Sequence, residues 1–146
     1  MIINLIGQPG AGKTSIAKFL LDAFSNSVHI DGDDLRDLFK NKDYSQTGRR
    51  NNIQNAYNIA IFLESKGFIP VISLVSPYLD LREDLKARTN TSEFLIKTTE
   101  IRGRESFHVN DYQMPETNFI EIDTTNKEAI DMANIIKTIV NEKYKI

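Results

Sequence analysis

Short apolar runs alternate with longer stretches of mixed polarity along the whole chain. Each run is a few residues long and is rich in Ile, Leu, Val or Phe, which is typical of buried β-strands. Five runs predict strands, at residues 1–6, 28–30, 68–75, 93–97 and 119–122. The run at 68–75 is the most continuous, as expected for a strand in the buried middle of a parallel sheet.

The stretches between these runs show the three-to-four-residue apolar spacing of amphipathic helices. Helices are predicted at 15–24, from a cap at Asp33 or Asp34 to Phe39, along 53–63, at 78–88 and at 127–143. The first helix presents one apolar face, formed by Ile16, Phe19, Leu20 and Ala23. Strands that alternate with helices predict an α/β fold, a doubly wound sheet of about five parallel strands in one domain spanning residues 1–146.

The loop after the first predicted strand fits the phosphate-binding pattern G-x-x-x-x-G-K-[ST] and is followed by a predicted helix, as this pattern requires. The N–H groups of such a loop and the positive end of the helix can bind phosphate oxygens. Lys13 can reach the β- and γ-phosphates, and the Thr14 hydroxyl can ligate Mg²⁺. An ordinary glycine-rich turn is the alternative. The pattern favours a nucleotide site formed by Gly7, Gln8, Pro9, Gly10, Ala11, Gly12, Lys13, Thr14 and Ser15.

An acidic turn, Asp31-Gly32-Asp33, ends the second predicted strand. Ligands of open α/β sheets bind at the carboxyl ends of the strands, so this turn is expected to face the bound phosphates. A carboxylate there could accept the proton of an attacking hydroxyl group. It could equally hold Mg²⁺ through water, or only cap the following helix.

The residue that follows the strand at 68–75 differs between classes of phosphate-loop protein. Hydrolysing members usually carry an Asp there to hold Mg²⁺, whereas this chain has Ser76. Ser76 therefore favours a small-molecule kinase over a mechanical ATPase or a switch GTPase. The absence of an Asn-Lys-x-Asp run also argues against a GTPase.

Arginine and aromatic side chains flank the expected cleft. Guanidinium groups suit bidentate binding of phosphate or sulfate, although each of these residues could also be a solvated surface Arg. The candidates are Arg36, Arg49, Arg50, Arg82, Arg102 and Arg104. Aromatic rings could stack on a nucleobase or pack in the core, and the candidates are Tyr44, Phe107 and Tyr112.

Composition excludes several other classes. The chain has 146 residues, a formal charge of −2, no Cys and two His. The lack of Cys excludes a disulfide framework, and the formal charge gives no reason to bind nucleic acid or membrane. No signal-peptide pattern and no apolar run of membrane-spanning length is visible. The expectation is a soluble cytoplasmic protein without a nucleic-acid or membrane partner.

Several motifs, taken together and in order, resemble adenylylsulfate kinases. The first is the phosphate loop, which is followed by Asp-Gly-Asp at 31–33 with Arg36, then Tyr44-Ser45, Arg49 and Asn52, then Ser-Pro-Tyr at 76–78 with Arg82. The likeness extends from residue 1 to about 82. Near the end, Pro115 and Ile-Asp-Thr at 122–124 look like the last strand of the family.

The resemblance implies an activity and a set of site residues. Adenylylsulfate kinases move the γ-phosphate of MgATP to the 3′-hydroxyl of adenosine 5′-phosphosulfate, so the implied ligands are these small nucleotides and Mg²⁺ on Thr14. Lys13, Asp31 and Asp33 would be catalytic or metal-organising. The acceptor would be bound by Arg36, Tyr44, Arg49, Asn52, Ser76 and Arg82. Because family members are often dimers, a homodimer is also implied.

The chain departs from the family in its lid. A long lid should follow the strand at 93–97, but residues 98–115 form a shorter segment. Arg102 and Arg104 flank Gly103 in this segment, and they are expected to supply the lid charges. The identity of the phosphoryl acceptor therefore stays open. One alternative is the same chemistry on another activated nucleotide, a sugar or a polynucleotide end. A nucleotide-binding regulator without turnover is the other.

Overall fold

The computed structural model describes residues 1–145 and contains one parallel sheet with helices on both faces. The strands are β1 (Ile2–Ile6), β2 (Ser27–Asp31), β3 (Ile69–Ser73), β4 (Thr91–Lys97) and β5 (Phe119–Asp123). The helices are α1 (Lys13–Ala23), α2 (Gly32–Phe39), α3 (Gln46–Ser65), α4 (Leu79–Arg88) and α5 (Ala129–Tyr144), with a 3₁₀ turn at Glu105–Phe107. Strands and helices thus alternate as predicted.

The strand order is β2-β3-β1-β4-β5, with every neighbouring pair parallel. In the register, Ile3 of β1 lies opposite Val71 of β3 on one side and Ser92 of β4 on the other. This order confirms the predicted doubly wound sheet. It also brings the carboxyl ends of β1, β2 and β3 side by side, where a ligand site of this fold is expected.

Two apolar layers hold the sheet. On one face α1 and α5 pack through side chains such as Leu20 and Ile136, and on the other α3 and α4 pack through Tyr57 and Leu85. Burial of each such side chain stabilises the fold by roughly 1.5–3 kcal/mol. Because both faces are covered, most residues of the inner strands are buried, and most of these are apolar. Within residues 1–145, no helix is both long and apolar enough to cross a membrane.

The first two helices begin earlier than predicted. The α1 helix starts at Lys13, and it buries Ala17 instead of Phe19, which is 39% exposed. The α2 helix is capped by Asp31, whose side chain accepts a hydrogen bond from the Asp33 N–H, so the predicted cap at Asp33 or Asp34 is wrong. The last strand residue therefore also starts the helix, which places its carboxylate at the sheet edge.

The α3 helix extends into a polar segment that carries no helical pattern. Ser45 caps it by accepting from the Gly48 N–H at 3.3 Å. At Gly48 a Cβ atom would lie 2.1 Å from the Asp43 carbonyl oxygen, so only glycine lets the loop pack this closely on the helix. As a result Arg49 and Asn52 lie on the first turns of a rigid helix.

Candidate active site

A cavity of about 950 Å³ opens at the carboxyl ends of β1, β2 and β3. The phosphate loop forms one side, α2 and α3 a second, and the lid segment (residues 98–115) a third. Most of the site residues expected from the sequence line it: Pro9, Gly10, Gly12, Lys13, Thr14, Ser15, Asp31, Asp33, Arg36, Tyr44, Arg49, Asn52, Ser76, Arg102 and Arg104. Gly7, Gln8 and Ala11 border a smaller cavity beside it, of about 140 Å³. The volume of the main cavity is near the upper end of the range for small-molecule sites, roughly 300–1,000 Å³.

The phosphate loop wraps around the amine of Lys13. Gly7 leaves β1 with a φ of 144°, and a Cβ there would lie 2.2 Å from the Ile96 carbonyl oxygen, so the loop requires glycine at this point. The Lys13 Nζ donates to the carbonyl oxygens of Gly7 at 2.9 Å and Gln8 at 2.8 Å. The amine is thereby held inside the loop, where phosphate oxygens would bind.

Lys13 is only 8% exposed, and this burial changes its protonation. Burial is the main cause that lowers the pKa of the Lys13 amine to about 8, and the positive charge of Arg104 adds to it. Asp31 and Asp33 act in the opposite direction without offsetting the effect. Near pH 8 the amine is therefore only partly protonated in the free protein.

Nucleotide binding is expected to be linked to proton uptake at this lysine. Phosphate oxygens favour the charged amine, so they should raise its pKa above 8, and affinity should fall as the pH rises past 8. Calorimetry of AMPPNP binding at pH 8.5, in two buffers of different ionisation enthalpy, should show uptake of a fraction of a proton. Lys13→Arg, which stays charged, is the control and should abolish most of the uptake. Equal uptake by the parent and the variant would contradict this assignment.

Thr14 and Asp31 approach each other at the cavity wall. The Thr14 hydroxyl donates to Asp31 Oδ1 at 3.2 Å, and the Ser73 hydroxyl donates to the same oxygen at 3.0 Å. Asp31 Oδ2 accepts from the Asp33 N–H at 3.2 Å. Both oxygens of this carboxylate are thus held, whereas the Asp33 side chain is exposed at the cavity.

The donor set fits Mg²⁺. Mg²⁺ prefers oxygen ligands, keeps several waters and is usually bound by one or two protein groups together with substrate phosphates. Thr14 Oγ1 and Asp31 Oδ1, 3.2 Å apart beside the phosphate loop, provide such groups. Within the part of the chain from 1 to 145 no cluster of three or more His, Cys, Asp or Glu could hold a metal ion. A metal here would therefore depend on the nucleotide for most of its ligands.

Across the cavity, α2 and α3 present the expected acceptor residues. The Arg36 guanidinium lies 4.0 Å from the centre of the Tyr44 ring and donates to the carbonyl oxygens of Asn41 and Asp43, each at 3.1 Å. These contacts fix its position. Arg49, half-buried one turn into α3, lines the same wall.

Asn52 and Ser76 form the base of the cavity. Asn52 is 5% exposed, and no hydrogen-bond partner for its buried Oδ1 is found among residues 1–145. Ser76 has the left-handed backbone φ of 47°, and its hydroxyl accepts from Tyr57 at 3.1 Å. An unpaired buried oxygen is costly, which makes Asn52 Oδ1 a polar atom of the cavity wall whose hydrogen-bonding capacity is unused.

Arg82 does not contribute to the cavity, which corrects the expectation that it binds the acceptor. Its side chain is fully buried, and its guanidinium donates to the Ser76 carbonyl oxygen at 2.5 Å and to that of Gln113. The carboxylate of Glu93, also buried, lies 3.9 Å away. Arg82 therefore joins the end of the lid segment to the strand end beneath the cavity.

The lid segment is fastened to the phosphate loop at two points. The Arg102 guanidinium donates to the carbonyl oxygens of Gly10 at 3.2 Å and Ala11 at 3.0 Å, and it pairs with Glu100. The Gln8 side chain exchanges two hydrogen bonds of 2.8 Å with the backbone of Val109. Arg102 is thus occupied by protein groups, and its expected role as a phosphate-facing charge becomes a fastening role.

Arg104 remains as the exposed lid cation that lines the cavity. Phe107, exposed beside it, lines the cavity as well, whereas Tyr112 donates its hydroxyl to the Val75 carbonyl oxygen and borders only the smaller cavity. Residues that sequence reasoning did not select also line the main cavity: Ile53, Ser73, Leu74, Ser106 and His108. Among these residues, Ser73 was the one that the sequence could have indicated as a site residue, because it places a hydroxyl group within an apolar strand.

Comparisons with known proteins identify relatives of this chain. The family model for adenylylsulphate kinase matches residues 1–108. A curated adenylyl-sulfate kinase of Burkholderia ambifaria is 34% identical over 99 residues, covering 64% of this chain and 55% of that protein. One of Lactiplantibacillus plantarum is 27% identical over 150 residues, covering 94% of this chain and 72% of that protein. The chain spans about half the length of most curated relatives that it matches.

Solved structures share the fold. The Mycobacterium tuberculosis APS kinase CysC in complex with AMPPNP and APS matches with a TM-score of 0.81 at 18% identity, covering 96% of each chain. Shikimate kinase from Aquifex aeolicus matches with a TM-score of 0.63 at 13% identity, covering 99% of this chain and 98% of that one. At such identities the likeness supports the fold alone. Since the family model covers about three quarters of its length, the chain belongs to the adenylylsulfate kinase family.

Proposed function

We propose that this protein is an ATP-dependent kinase that phosphorylates the 3′-hydroxyl of adenosine 5′-phosphosulfate. One observation carries the proposal: a single cavity joins the phosphate loop, two carboxylates at a strand end, and an opposite wall with Arg36, Arg49 and Asn52. Its volume of about 950 Å³ leaves room for a phosphate donor together with an acceptor. Family membership supports the choice of donor and acceptor.

In the proposed reaction the loop binds the phosphates of ATP and Lys13 contacts the transferring group. The charge on the transferring phosphoryl is spread over its outer oxygens, so a cation held in place stabilises the transition state. Mg²⁺, when bound beside Thr14 and Asp31, would neutralise phosphate charge. Arg104 approaches from the lid, where it can pair with the γ-phosphate.

The two carboxylates divide the remaining work. Asp31 is held by Thr14, Ser73 and the Asp33 N–H, so it suits an organising role beside the phosphates. Asp33 is exposed at the cavity and suits the role of base. As the acceptor oxygen bonds to the γ-phosphorus and the bond to ADP breaks, the hydroxyl proton passes to the carboxylate.

The acceptor wall is suited to an anionic nucleotide. Arg36, fixed over Tyr44, and Arg49 can pair with a phosphosulfate group, and guanidinium forks match such oxygens well. The unpaired Oδ1 of Asn52 can accept from a ribose hydroxyl or an amine. A neutral sugar would leave the two arginines without an anionic partner, so a sugar is the weaker candidate for the acceptor.

The direct test is an ATP consumption assay with purified protein and Mg²⁺. Adenosine 5′-phosphosulfate should raise ADP formation at least tenfold over the rate without acceptor, and the product should carry a 3′-phosphate by NMR. Gluconate and shikimate serve as alternative hydroxyl acceptors. Stimulation by one of these alone would replace the proposed acceptor. AMPPNP binding without turnover on any acceptor would instead indicate a regulator.

Arg104 is expected to matter for turnover more than for binding. Arg104→Ala should lower kcat by about a hundredfold, since it removes a charge that acts on the transferring phosphoryl, while the Kd for ATP changes less than about threefold. Arg88→Ala removes a surface guanidinium paired with Asp84 on α4 and is the matched control. Normal kcat in Arg104→Ala would reduce the lid to a connector.

Self-association is a further part of the proposal. A structural relative from Thiobacillus denitrificans, described as a hexameric APS kinase, matches with a TM-score of 0.78 at 21% identity over 97% of this chain and 29% of that one. Exposed apolar side chains on α2 and α3, Leu38, Phe39 and Phe62, offer surface for contact with another copy. Light scattering after gel filtration should give at least twice the mass of 16.6 kDa. A mass of one chain at working concentration would contradict this.

A further inference from the structure

A chain of hydrogen bonds leads from the outer strand of the sheet to the proposed metal-binding pair. Nε2 of His29 lies 2.6 Å from the Ser73 hydroxyl oxygen, and this hydroxyl donates to Asp31 Oδ1 at 3.0 Å. The same Asp31 oxygen accepts from Thr14 at 3.2 Å. The roles proposed above include Ser73 only as one of the groups that hold Asp31, and they do not use His29.

The direction of each hydrogen bond follows from the number of available hydrogens. The Ser73 hydroxyl has one hydrogen, and it points to the Asp31 carboxylate, which can only accept. The Ser73 oxygen therefore accepts from His29, so the imidazole carries its hydrogen on Nε2. The donors in this series of hydrogen bonds therefore all point the same way, from His29 through Ser73 to Asp31.

The position of Asp31 in the sheet explains why it needs this support. β2 is an edge strand, and Asp31 is its last residue, directly opposite Ser73 on the inner strand β3. A carboxylate at the end of an edge strand has two rotatable bonds and few neighbours. Ser73 lies on a strand with neighbours on both sides, so it can hold Asp31 Oδ1 toward Thr14.

We propose that His29 and Ser73 are positioning residues that fix the Asp31 carboxylate beside Thr14, and so determine how well Mg²⁺ and the phosphates of ATP are placed. His29 acts through Ser73, and neither side chain needs to touch a substrate. The inference rests on the proposed function for its effect on kcat. Its effect on Mg²⁺-dependent nucleotide binding does not depend on which acceptor is phosphorylated.

The test compares variants that keep or lose the hydrogen bond. Gln places an amide N–H at about the reach of the imidazole Nε2, whereas Asn is too short, so His29→Gln and His29→Asn form a matched pair. Ser73→Ala removes the central hydroxyl. Ser92→Ala is its control, because Ser92 is also buried but lies near the opposite end of the strands.

On each variant, kcat and KM for adenosine 5′-phosphosulfate phosphorylation are measured, together with the ratio of AMPPNP Kd values without and with Mg²⁺. The His29 tautomer is determined by ¹⁵N NMR in the parent protein and in the two serine variants. Loss of a supporting hydrogen bond to a metal-organising group typically costs 10–100-fold, so Ser73→Ala and His29→Asn should lower kcat at least about tenfold. Both should also reduce the Mg²⁺ effect on AMPPNP affinity. His29→Gln and Ser92→Ala should stay within about threefold of the parent.

Each outcome decides the proposal. Parent-like kcat and Mg²⁺ effect in Ser73→Ala and His29→Asn would overturn it, and so would an equal loss in His29→Gln and His29→Asn, which would indicate packing only. A parent imidazole with its hydrogen on Nδ1 would overturn it even if the variants failed to fold. If the parent does not phosphorylate adenosine 5′-phosphosulfate, the proposed function fails, while the AMPPNP ratio still decides the role of His29 and Ser73.

Discussion

Lys13→Ala is expected to lower kcat at least about a thousandfold while the protein stays folded, because Lys13 is the cation placed inside the phosphate loop. Its Nζ is held by the carbonyl oxygens of Gly7 and Gln8, and Lys13 lines the cavity in which the phosphates of ATP are proposed to bind. A cation fixed there before the reaction stabilises the charge of the transferring phosphoryl without reorganisation.

The stability of the same variant separates catalysis from folding. At pH 7 the buried Lys13 amine carries a charge that burial disfavours, since its pKa is lowered from 10.5 to about 8. Removing the charged amine removes the free-energy cost of burying it. This gain offsets the loss of the two hydrogen bonds, so Tm should change by only a few degrees. Kinetics and thermal melting are compared with Lys18→Ala, an exposed lysine of the same helix. Near-parent activity in Lys13→Ala would refute the site.

Asp33→Asn is expected to lower kcat more than about a hundredfold with little change in ATP affinity, because a base acts on the transfer step. The Asp33 carboxylate is exposed at the cavity, where an acceptor hydroxyl can reach it. Asp31→Asn should differ: it keeps the hydrogen-bonding shape but loses the charge beside Thr14. It should therefore weaken Mg²⁺-dependent ATP binding as well as turnover.

Asp34→Asn is the matched control for both carboxylates, because Asp34 follows them on α2, is exposed and does not line the cavity. Initial rates at saturating Mg²⁺ and calorimetry with AMPPNP, with and without Mg²⁺, distinguish the two roles. Should both Asn variants at 31 and 33 keep parent-like kcat, the acidic turn would be a helix cap and nothing more.

The fold was readable from the sequence because its signals are local. A buried parallel strand is mostly apolar on both faces, so residues 68–75 stand out as a nearly continuous run. The phosphate loop approaches Ile96 so closely that position 7 must be glycine. This requirement helps to fix the spacing of the residues in the phosphate-binding pattern. The ends of helices were less readable. Ser45 capping and the close packing at Gly48 extend α3 through a segment with no apolar period.

The division of roles among the arginines could not be read from the sequence. Arg82 and Arg104 both belong to segments near the cleft, yet one is buried against Ser76 and Gln113 and the other lines the cavity. Arg102, two residues from Arg104, pairs with Glu100 and the loop carbonyls. An arginine side chain is long enough to reach either environment, so partners distant in sequence decide which one it occupies.

The sequence by itself determined the elements of this protein, the phosphate loop and the acidic turn, since each depends on residues a few positions apart. The tertiary structure alone decided which side chains meet. Strand pairing brings Ser73 against Asp31 and His29, 42 and 44 residues away, and the Gln8 side chain pairs with Val109 across 101 residues. Such contacts leave no periodic pattern in the chain, because they are fixed by the order of the strands and by how the lid segment folds back over the loop.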